Sequence, residues 1–142
     1  MKTKILSVTL GALVFCFTIT GLNVFAAAKN ISCGTGGQCV GSNTIQKNYS
    51  GGWIQFKGSS TVDVQPSYNY RIVATRTMLV GSENDRTIGS DDSGKSSDLF
   101  GGAGFIYSSP VSGRVYENVT SHFYYVPNGM AYSGGITTTT TY

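Results

Sequence analysis

Charged side chains are scarce in this sequence. Asp, Glu, Lys and Arg together make up 12% of the 142 residues, and Lys and Arg form no cluster at any point. The formal net charge of +3 includes Lys2 and Lys4, which lie in a segment that we expect to be removed, so the remaining chain is close to neutral. Nucleic-acid surfaces and polybasic membrane anchors need concentrated positive charge. The sequence therefore predicts no nucleic-acid partner.

Histidine is almost absent, which limits the available catalytic chemistry. A Ser-His-Asp or Cys-His nucleophile would have to use His122, the single histidine. It follows Ser121 in a predicted strand with no G-x-S-x-G elbow, so we expect an imidazole on a half-exposed sheet face. Hydrolysis by paired carboxylates needs two acids in one cleft, whereas Asp63 and Glu117 are single acids on predicted strands. We predict no catalytic residues, no cofactor and no enzymatic activity.

Helix-forming residues are scarce after Lys29. No window there places apolar residues at helical spacing with helix formers between them. Short runs rich in Val, Ile, Thr, Tyr and Phe alternate instead with Gly, Ser, Asn and Asp, a pattern typical of antiparallel sheets. A hydrophobic content of 40% also excludes a disordered chain. The predicted fold class is all-β: a small antiparallel β-sandwich or barrel-like domain.

The N-terminal segment 1–28 has the order of a secretory signal peptide. Two lysines precede a mostly apolar run from Ile5 to Phe25, and Ala26, Ala27 and Ala28 follow as small residues. Cleavage after Ala28 or after Ala26 fits this pattern. An uncleaved membrane anchor is the alternative, but no basic stop-transfer cluster follows the apolar run. The mature protein is therefore predicted to be secreted and extracellular.

Cleavage would leave two cysteines, Cys33 and Cys39, in an oxidising environment. We expect a disulfide between them, because the glycine-rich loop between them is flexible enough to let the sulfurs meet. A redox-active dithiol usually has C-x-x-C spacing followed by a helix, and a zinc site needs further Cys or His ligands. Neither pattern is present, so we predict no metal site here.

Three segments follow the predicted signal peptide. Residues 29–50 are predicted to be an N-terminal extension with the disulfide loop, 51–128 the β-sandwich domain, and 129–142 a Gly/Thr-rich hairpin or tail. In the tail, Gly134-Gly135 is a candidate two-residue turn, and the threonine run that follows is either an edge strand or a frayed end.

Several strands and one loop are predicted within the central domain, beginning with alternating runs at 53–57 and 60–65. The longest strand is expected at 68–80, and a strand pair at 105–108 and 115–126. The core face of the longest strand is predicted to carry Tyr68, Tyr70, Ile72, Ala74, Met78 and Val80. The acid-rich segment 81–98 is expected to be a solvated loop, since the D-x-D-x-D-G ladder of a calcium loop is absent.

Several short motifs, taken in order, resemble the lactococcin 972 family. They are Gly51-Gly52 before Trp53, the step Tyr68-Asn69-Tyr70, the alternating run to Val80, Ala103-Gly104, and Phe123-Tyr124-Tyr125. Members of that family are small secreted bacteriocins. The resemblance covers about 51–125 and implies a β-sandwich that acts non-enzymatically on the envelope of competing Gram-positive bacteria. The implied partner is a cell-wall precursor or the membrane, with dedicated immunity or transport proteins in the producing cell.

The aromatic residues of these motifs are the candidate ligand contacts. Tyr and Trp supply large amphipathic contact areas at low entropic cost, although the same rings are also needed to build the core of a small domain. The candidate residues are Trp53, Tyr68, Tyr70, Phe123, Tyr124 and Tyr125.

Two other functions remain open from the sequence. A secreted structural or adhesive surface protein would use the Gly/Ser/Thr/Tyr composition and an exposed threonine strand for association. A membrane-active β-hairpin toxin would use the weakly alternating segments 105–107 and 115–126.

Overall fold

The computed structural model describes residues 18–19, 22–34, 36–64, 75–94, 99–126 and 128–142. Within these ranges the backbone forms strands and turns and no helix, which confirms the all-β prediction. No described helix could therefore cross a membrane. Most of the predicted signal peptide and the candidates Tyr68 and Tyr70 lie outside the described residues. The strands are β1 Thr18–Ile19, β2 Leu22–Ser32, β3 Gln38–Asn48, β4 Trp53–Val64, β5 Thr75–Glu83, β6 Arg86–Asp92, β7 Phe100–Tyr107, β8 Val115–Val126 and β9 Gly129–Thr141.

The strands form two antiparallel sheets in a small β-sandwich. The five-stranded sheet has the order β1-β2-β3-β4-β7, and the four-stranded sheet has the order β6-β5-β8-β9. β2 pairs with β3 from Leu22 opposite Asn48 to Ser32 opposite Gln38. The sheets thus contain strands from 22–48 and 129–141 as well as from the predicted central domain.

Alternating burial defines the two faces of β3 and β4. Ile45 lies opposite Phe56 in the register, and both side chains are fully buried between the sheets. Thr44 lies opposite Lys57 on the outer face, because successive side chains of a strand point to opposite sides. The five-stranded sheet therefore has an apolar inner face and a polar outer face at this point.

The interior is apolar at its two ends and polar in the middle. One apolar cluster contains Ile45, Ile54, Phe56, Leu79, Ala103 and Tyr116. The other contains Ile31, Cys33 and Cys39, with Val62 and Tyr124 packed against them. Between these clusters along the strands lies a layer that we call the polar belt, formed by Asn43, Ser60, Thr77, Asn118, Thr120 and His122.

Two asparagines of the polar belt join the sheets reciprocally. Asn43 of β3 donates from Nδ2 to the carbonyl oxygens of Asn118 at 2.8 Å and Ile136 at 2.9 Å in the four-stranded sheet. Asn118 of β8 donates to the carbonyl oxygens of Thr44 at 3.1 Å and Lys57 at 2.9 Å in the five-stranded sheet. The two bonds of Asn43 are buried and the two of Asn118 are part-buried, so both amides satisfy acceptors that have little or no access to water.

The inward face of β5 is the opposite of the predicted one. Met78 and Val80, assigned to the core, are 36% and 40% exposed, whereas Thr77 and Leu79 are buried. Thr77 fits the interior because its hydroxyl donates to the carbonyl oxygen of Gly101 at 2.9 Å. The prediction was wrong because apolar residues do not mark the inner face where the core itself is polar. The earlier part of that predicted strand, 65–74, lies outside the described residues.

The acid-rich segment contains a β-hairpin where a loop was predicted. β5 ends at Glu83 and β6 begins at Arg86. Asn84 and Asp85 form the turn with φ values of 45° and 65°, and Asn and Asp tolerate this left-handed conformation better than other residues with a side chain. The loop prediction failed for 81–92, because in that stretch only these two residues turn the chain.

The predicted pairing of the strand at 105–108 with the strand at 115–126 is also wrong. β7 pairs with β4, and β8 pairs with β5 and β9, so residues 108–114 connect one sheet to the other. Gly134 and Gly135 lie inside β9, close to a register shift against β8, and do not form the predicted turn. The threonine run does form an edge strand, as one of the two alternatives predicted.

Candidate functional site

A groove of about 570 Å³ lies on the outer face of the five-stranded sheet. We call it the outer groove. Its volume lies within the range of about 300–1,000 Å³ that is typical of ligand pockets. Side chains of β3 and β4 and the glycines of β7 form its floor, and Phe100 and Asp91 border it. The floor residues used below are Ser42, Thr44, Gln55, Lys57, Ser59 and Gly102.

The glycines of β7 give the groove its depth. Lys57 of β4 lies opposite Gly104 of β7, so a long side chain stands beside a position that has none. A Cβ at Gly104 would approach the carbonyl oxygen of Phe56 to 2.6 Å, so this position requires glycine. A Cβ at Gly102 would instead meet the ring of Phe100 at 3.3 Å. A larger side chain at Gly102 would therefore extend into the groove.

The floor offers both donors and acceptors for hydrogen bonds. The hydroxyl groups of Ser42 and Ser59 bond to each other at 2.7 Å. Thr44 adds a third hydroxyl, and Gln55 adds an amide that both donates and accepts. Such a surface can replace the hydration of a polar ligand without any covalent chemistry.

The two charges at the groove have opposite signs. Lys57 lies on the floor and Asp91 at the border. Asp91 Oδ2 accepts a hydrogen bond from the Gly104 amide at 2.7 Å, which fixes the carboxylate beside the groove. The lining residues that the structure describes therefore carry no excess of positive charge.

The structure does not bring the predicted aromatic residues together. Trp53 lies on the outer side of β4, in line with Gln55 and Lys57, but its indole leans over Gly51 beyond the end of the groove. Phe123 and the two tyrosines that follow it belong to β8 in the other sheet.

The three aromatic residues of β8 have different surroundings. Phe123 contacts the ring of Tyr132 edge-on, with centroids 5.5 Å apart. Tyr124 packs inward against the cluster that contains Cys33 and Cys39, and Tyr125 hydrogen-bonds to Arg76. Core packing thus explains Tyr124, whereas Phe123 belongs to the outer surface of the four-stranded sheet.

That surface carries an apolar patch. Its most exposed member is Tyr132, at 61%. Val80 and Val119 are neighbours across β5 and β8. Arg76 lies opposite Phe123, and Asp92 lies opposite Met78; their ion pair holds the pKa of the Asp92 carboxyl below its usual range. We define the apolar patch as Met78, Val80, Val119, Phe123, Met130 and Tyr132.

The sole histidine is part of the polar belt, contrary to the expected half-exposed position. His122 is fully buried, and its Nδ1 lies 2.8 Å from the Ser60 hydroxyl. The Ser60 hydroxyl also lies 2.7 Å from Thr77 Oγ1 and 3.3 Å from the carbonyl oxygen of Arg76. Ser60 and His122 are both buried, so neither side chain presents an atom to solvent where a substrate would bind.

The environment of the imidazole lowers the pKa of His122. Nε2 is buried without a hydrogen-bond partner and faces Gly41, where a Cβ would lie 2.8 Å from the ring. Burial, assisted by the charge of Lys29, lowers the pKa of His122 to about 4. The imidazole is therefore neutral at neutral pH and has a structural role in joining the sheets.

The two cysteines are thiols in this structure, which differs from the predicted disulfide. Both are buried and free, and their side chains hydrogen-bond to each other. The two cysteines lie close together because β2 and β3 pair as far as Ser32 opposite Gln38. Cys33 directly follows Ser32, and Cys39 directly follows Gln38. Burial raises the pKa of both thiols, so neither has the thiolate character of a reactive cysteine.

Sequence reasoning missed the outer groove. Ala103-Gly104 was noted only as a motif of the family resemblance, although small residues opposite the polar outer positions of β4 were the signal. Within the described residues, no group of three or more His, Cys, Asp or Glu side chains could hold a metal ion. Comparisons with protein-family models, curated proteins and solved structures found no match for this chain.

Proposed function

We propose that the protein is secreted and antibacterial, and that it acts without catalysis by binding a component of the envelope of competing Gram-positive bacteria. The outer groove is the observation that carries this proposal. Its floor of hydroxyl and amide groups is suited to ligand binding, while the buried Ser60–His122 pair offers no activated nucleophile. The sequence resemblance to the lactococcin 972 family points to the same activity.

The proposal includes processing of the chain. Removal of residues up to Ala26 or Ala28 would deliver the domain to an oxidising space, where the neighbouring thiols of Cys33 and Cys39 would form a disulfide. The intact mass of secreted protein, measured after alkylation without reduction, tests both steps. We expect a mass without the leader and without alkylated cysteines. A retained leader or two alkylated thiols would contradict this part.

Binding and growth inhibition test the function itself. Purified secreted protein should co-sediment with isolated envelopes and should slow the growth of a panel of Gram-positive strains at micromolar concentration. Gly102→Val, which extends a side chain towards Phe100, should weaken both effects. Thr137→Val is a matched control, because Thr137 is exposed on the other sheet. A folded protein that binds no envelope and inhibits no strain refutes the proposal.

The apolar patch favours a second candidate function, that of a secreted structural or adhesive protein. Exposed aromatic and aliphatic side chains gathered on one sheet face are typical of association surfaces. Sedimentation velocity of the wild type and of Tyr132→Ser distinguishes the candidates. Self-association that the substitution abolishes, together with an absence of growth inhibition, would favour the structural function.

A further inference from the structure

We infer that the ligand of the outer groove is an uncharged glycan chain. This inference rests on the proposed function, since it specifies the envelope component, and it concerns the same groove. Three properties of the groove carry it: the hydrogen-bonding groups of the floor, the balance of charge, and the exposed ring at the border.

The hydrogen-bonding groups match those of a sugar. A hydroxyl both donates and accepts, and the groove presents the hydroxyls of Ser42, Ser59 and Thr44 together with the Gln55 amide. Sugar hydroxyls have the same dual character, so each can exchange its bond to water for a bond to the floor. A ligand with acceptors alone, such as a phosphate group, would leave the acceptor side of these groups unused.

The spacing of the floor favours a chain over a single small molecule. Gln55, Lys57 and Ser59 alternate along one face of β4, about 6.6 Å apart at each step. Neighbouring strands add parallel rows about 4.8 Å away, and the groove is open to solvent. A repeating polymer can contact such an array with successive units.

The charges argue against an anionic polymer. Polyanions are held by clusters of Lys and Arg, whereas the described residues that line the groove include one cation, Lys57, and one carboxylate, Asp91. The carboxylate cannot move away freely, because it accepts the hydrogen bond of the Gly104 amide. A neutral ligand experiences neither a net attraction nor a net repulsion here.

The ring of Phe100 supplies an apolar contact. It is 53% exposed at the edge of the groove, and the adjacent outer position, Gly102, has no side chain to cover it. The C–H face of a sugar ring is apolar and can lie against an aromatic face. Phe100 and the polar floor together therefore offer the two kinds of contact that a sugar unit requires.

Calorimetric titration with two uncharged hexasaccharides, chitohexaose and cellohexaose, tests the inference on the secreted protein. We expect saturable binding of at least one, with affinity that changes less than about twofold between low and high salt. Phe100→Ala, at an exposed position, should weaken binding about tenfold, and Gly102→Val should weaken it at least as much. Thr137→Val should bind like the wild type, and circular dichroism should show that each variant is folded.

The outcomes separate the ligand from the function. If the folded protein binds neither sugar, or if both groove variants bind like the wild type, the inference is wrong. Binding of heparin that falls steeply with salt and displaces the sugars would show an anionic ligand and would also overturn it. A protein that inhibits growth and binds envelopes but no glycan retains the proposed function alone. Groove-dependent glycan binding without growth inhibition would leave the inference and remove the antibacterial function.

Discussion

Protonation of His122 should destabilise the fold in mild acid. The imidazole is fully buried, Nδ1 lies 2.8 Å from the Ser60 hydroxyl, and Nε2 has no hydrogen-bond partner that would stabilise the doubly protonated ring. The folded state therefore binds that proton only near pH 4, whereas the unfolded chain binds it near the usual pKa of 6.5. Stability from this group is complete above pH 6.5, declines as the pH falls, and stops declining below about pH 4.

The size of the effect follows from the difference between the two pKa values. Each pKa unit corresponds to about 1.4 kcal/mol, so the shift from 6.5 to about 4 is worth about 3 kcal/mol of unfolding free energy. This is a large fraction of the stability of a small domain. The wild type should therefore lose much of its stability between pH 7 and pH 4.

Urea unfolding followed by the fluorescence of Trp53, the single tryptophan, measures this loss at a series of pH values. His122→Gln keeps a polar side chain beside Ser60 but does not titrate. It should be less stable than the wild type at pH 7 and should lose less stability on acidification. Carboxylates such as Asp92 titrate in both proteins, so the difference between the two pH profiles isolates His122. Identical profiles would refute the assignment of a neutral, buried imidazole.

Three further substitutions test the packing of the interior. Gly58→Ala places a Cβ 2.5 Å from Thr120 Cγ2 and should lower the free energy of unfolding in urea by about 1–3 kcal/mol. Gly102→Ala, on the outer face of the neighbouring strand, should lower it less. Equal losses would contradict the inward position of Gly58. Asn43→Leu removes the donor of two buried carbonyl groups and should cost at least about 2 kcal/mol; an unchanged urea midpoint would show that these carbonyls have other partners. Phe56→Ala removes a fully buried ring that stacks on the ring of Phe105 and should lower the free energy of unfolding by about 3–5 kcal/mol. A loss below about 1 kcal/mol would contradict the central place of Phe56 in the core.

The sequence predicted the fold class better than it predicted the faces of the strands. β8 runs from Val115 to Val126 as expected, since two thirds of the residues there are β-branched or aromatic. The inner face of β5 was predicted from Met78 and Val80, but threonines fill the interior at Thr75 and Thr77. Hydropathy alone cannot indicate the burial of Thr77, because the partners of its hydroxyl, Ser60 and Gly101, are distant in sequence.

The site was harder to predict than the fold for a similar reason. The outer groove exists because the register places Lys57 opposite Gly104 and Ser59 opposite Gly102, and register between β4 and β7 is not visible in either strand alone. The predicted aromatic residues were chosen for their chemistry, without knowledge of the sheet to which each belongs. Phe100, which borders the groove, was not singled out, because it stands apart from the aromatic motifs in the sequence.

The position of β2 has a consequence for the timing of maturation. Its residues Ala26, Ala27 and Ala28, at which a signal peptidase would cut, are paired with Thr44, Asn43 and Ser42 of β3. A peptidase requires an extended segment with a free backbone, so the enzyme and β3 compete for the same residues. A chain that folds before the proposed cleavage keeps 22–28 paired with β3. A chain that is cut first, after Ala28, would fold with 42–48 as an uncovered sheet edge. Under the proposed secretion, export in an unfolded state would therefore decide which residues border this sheet.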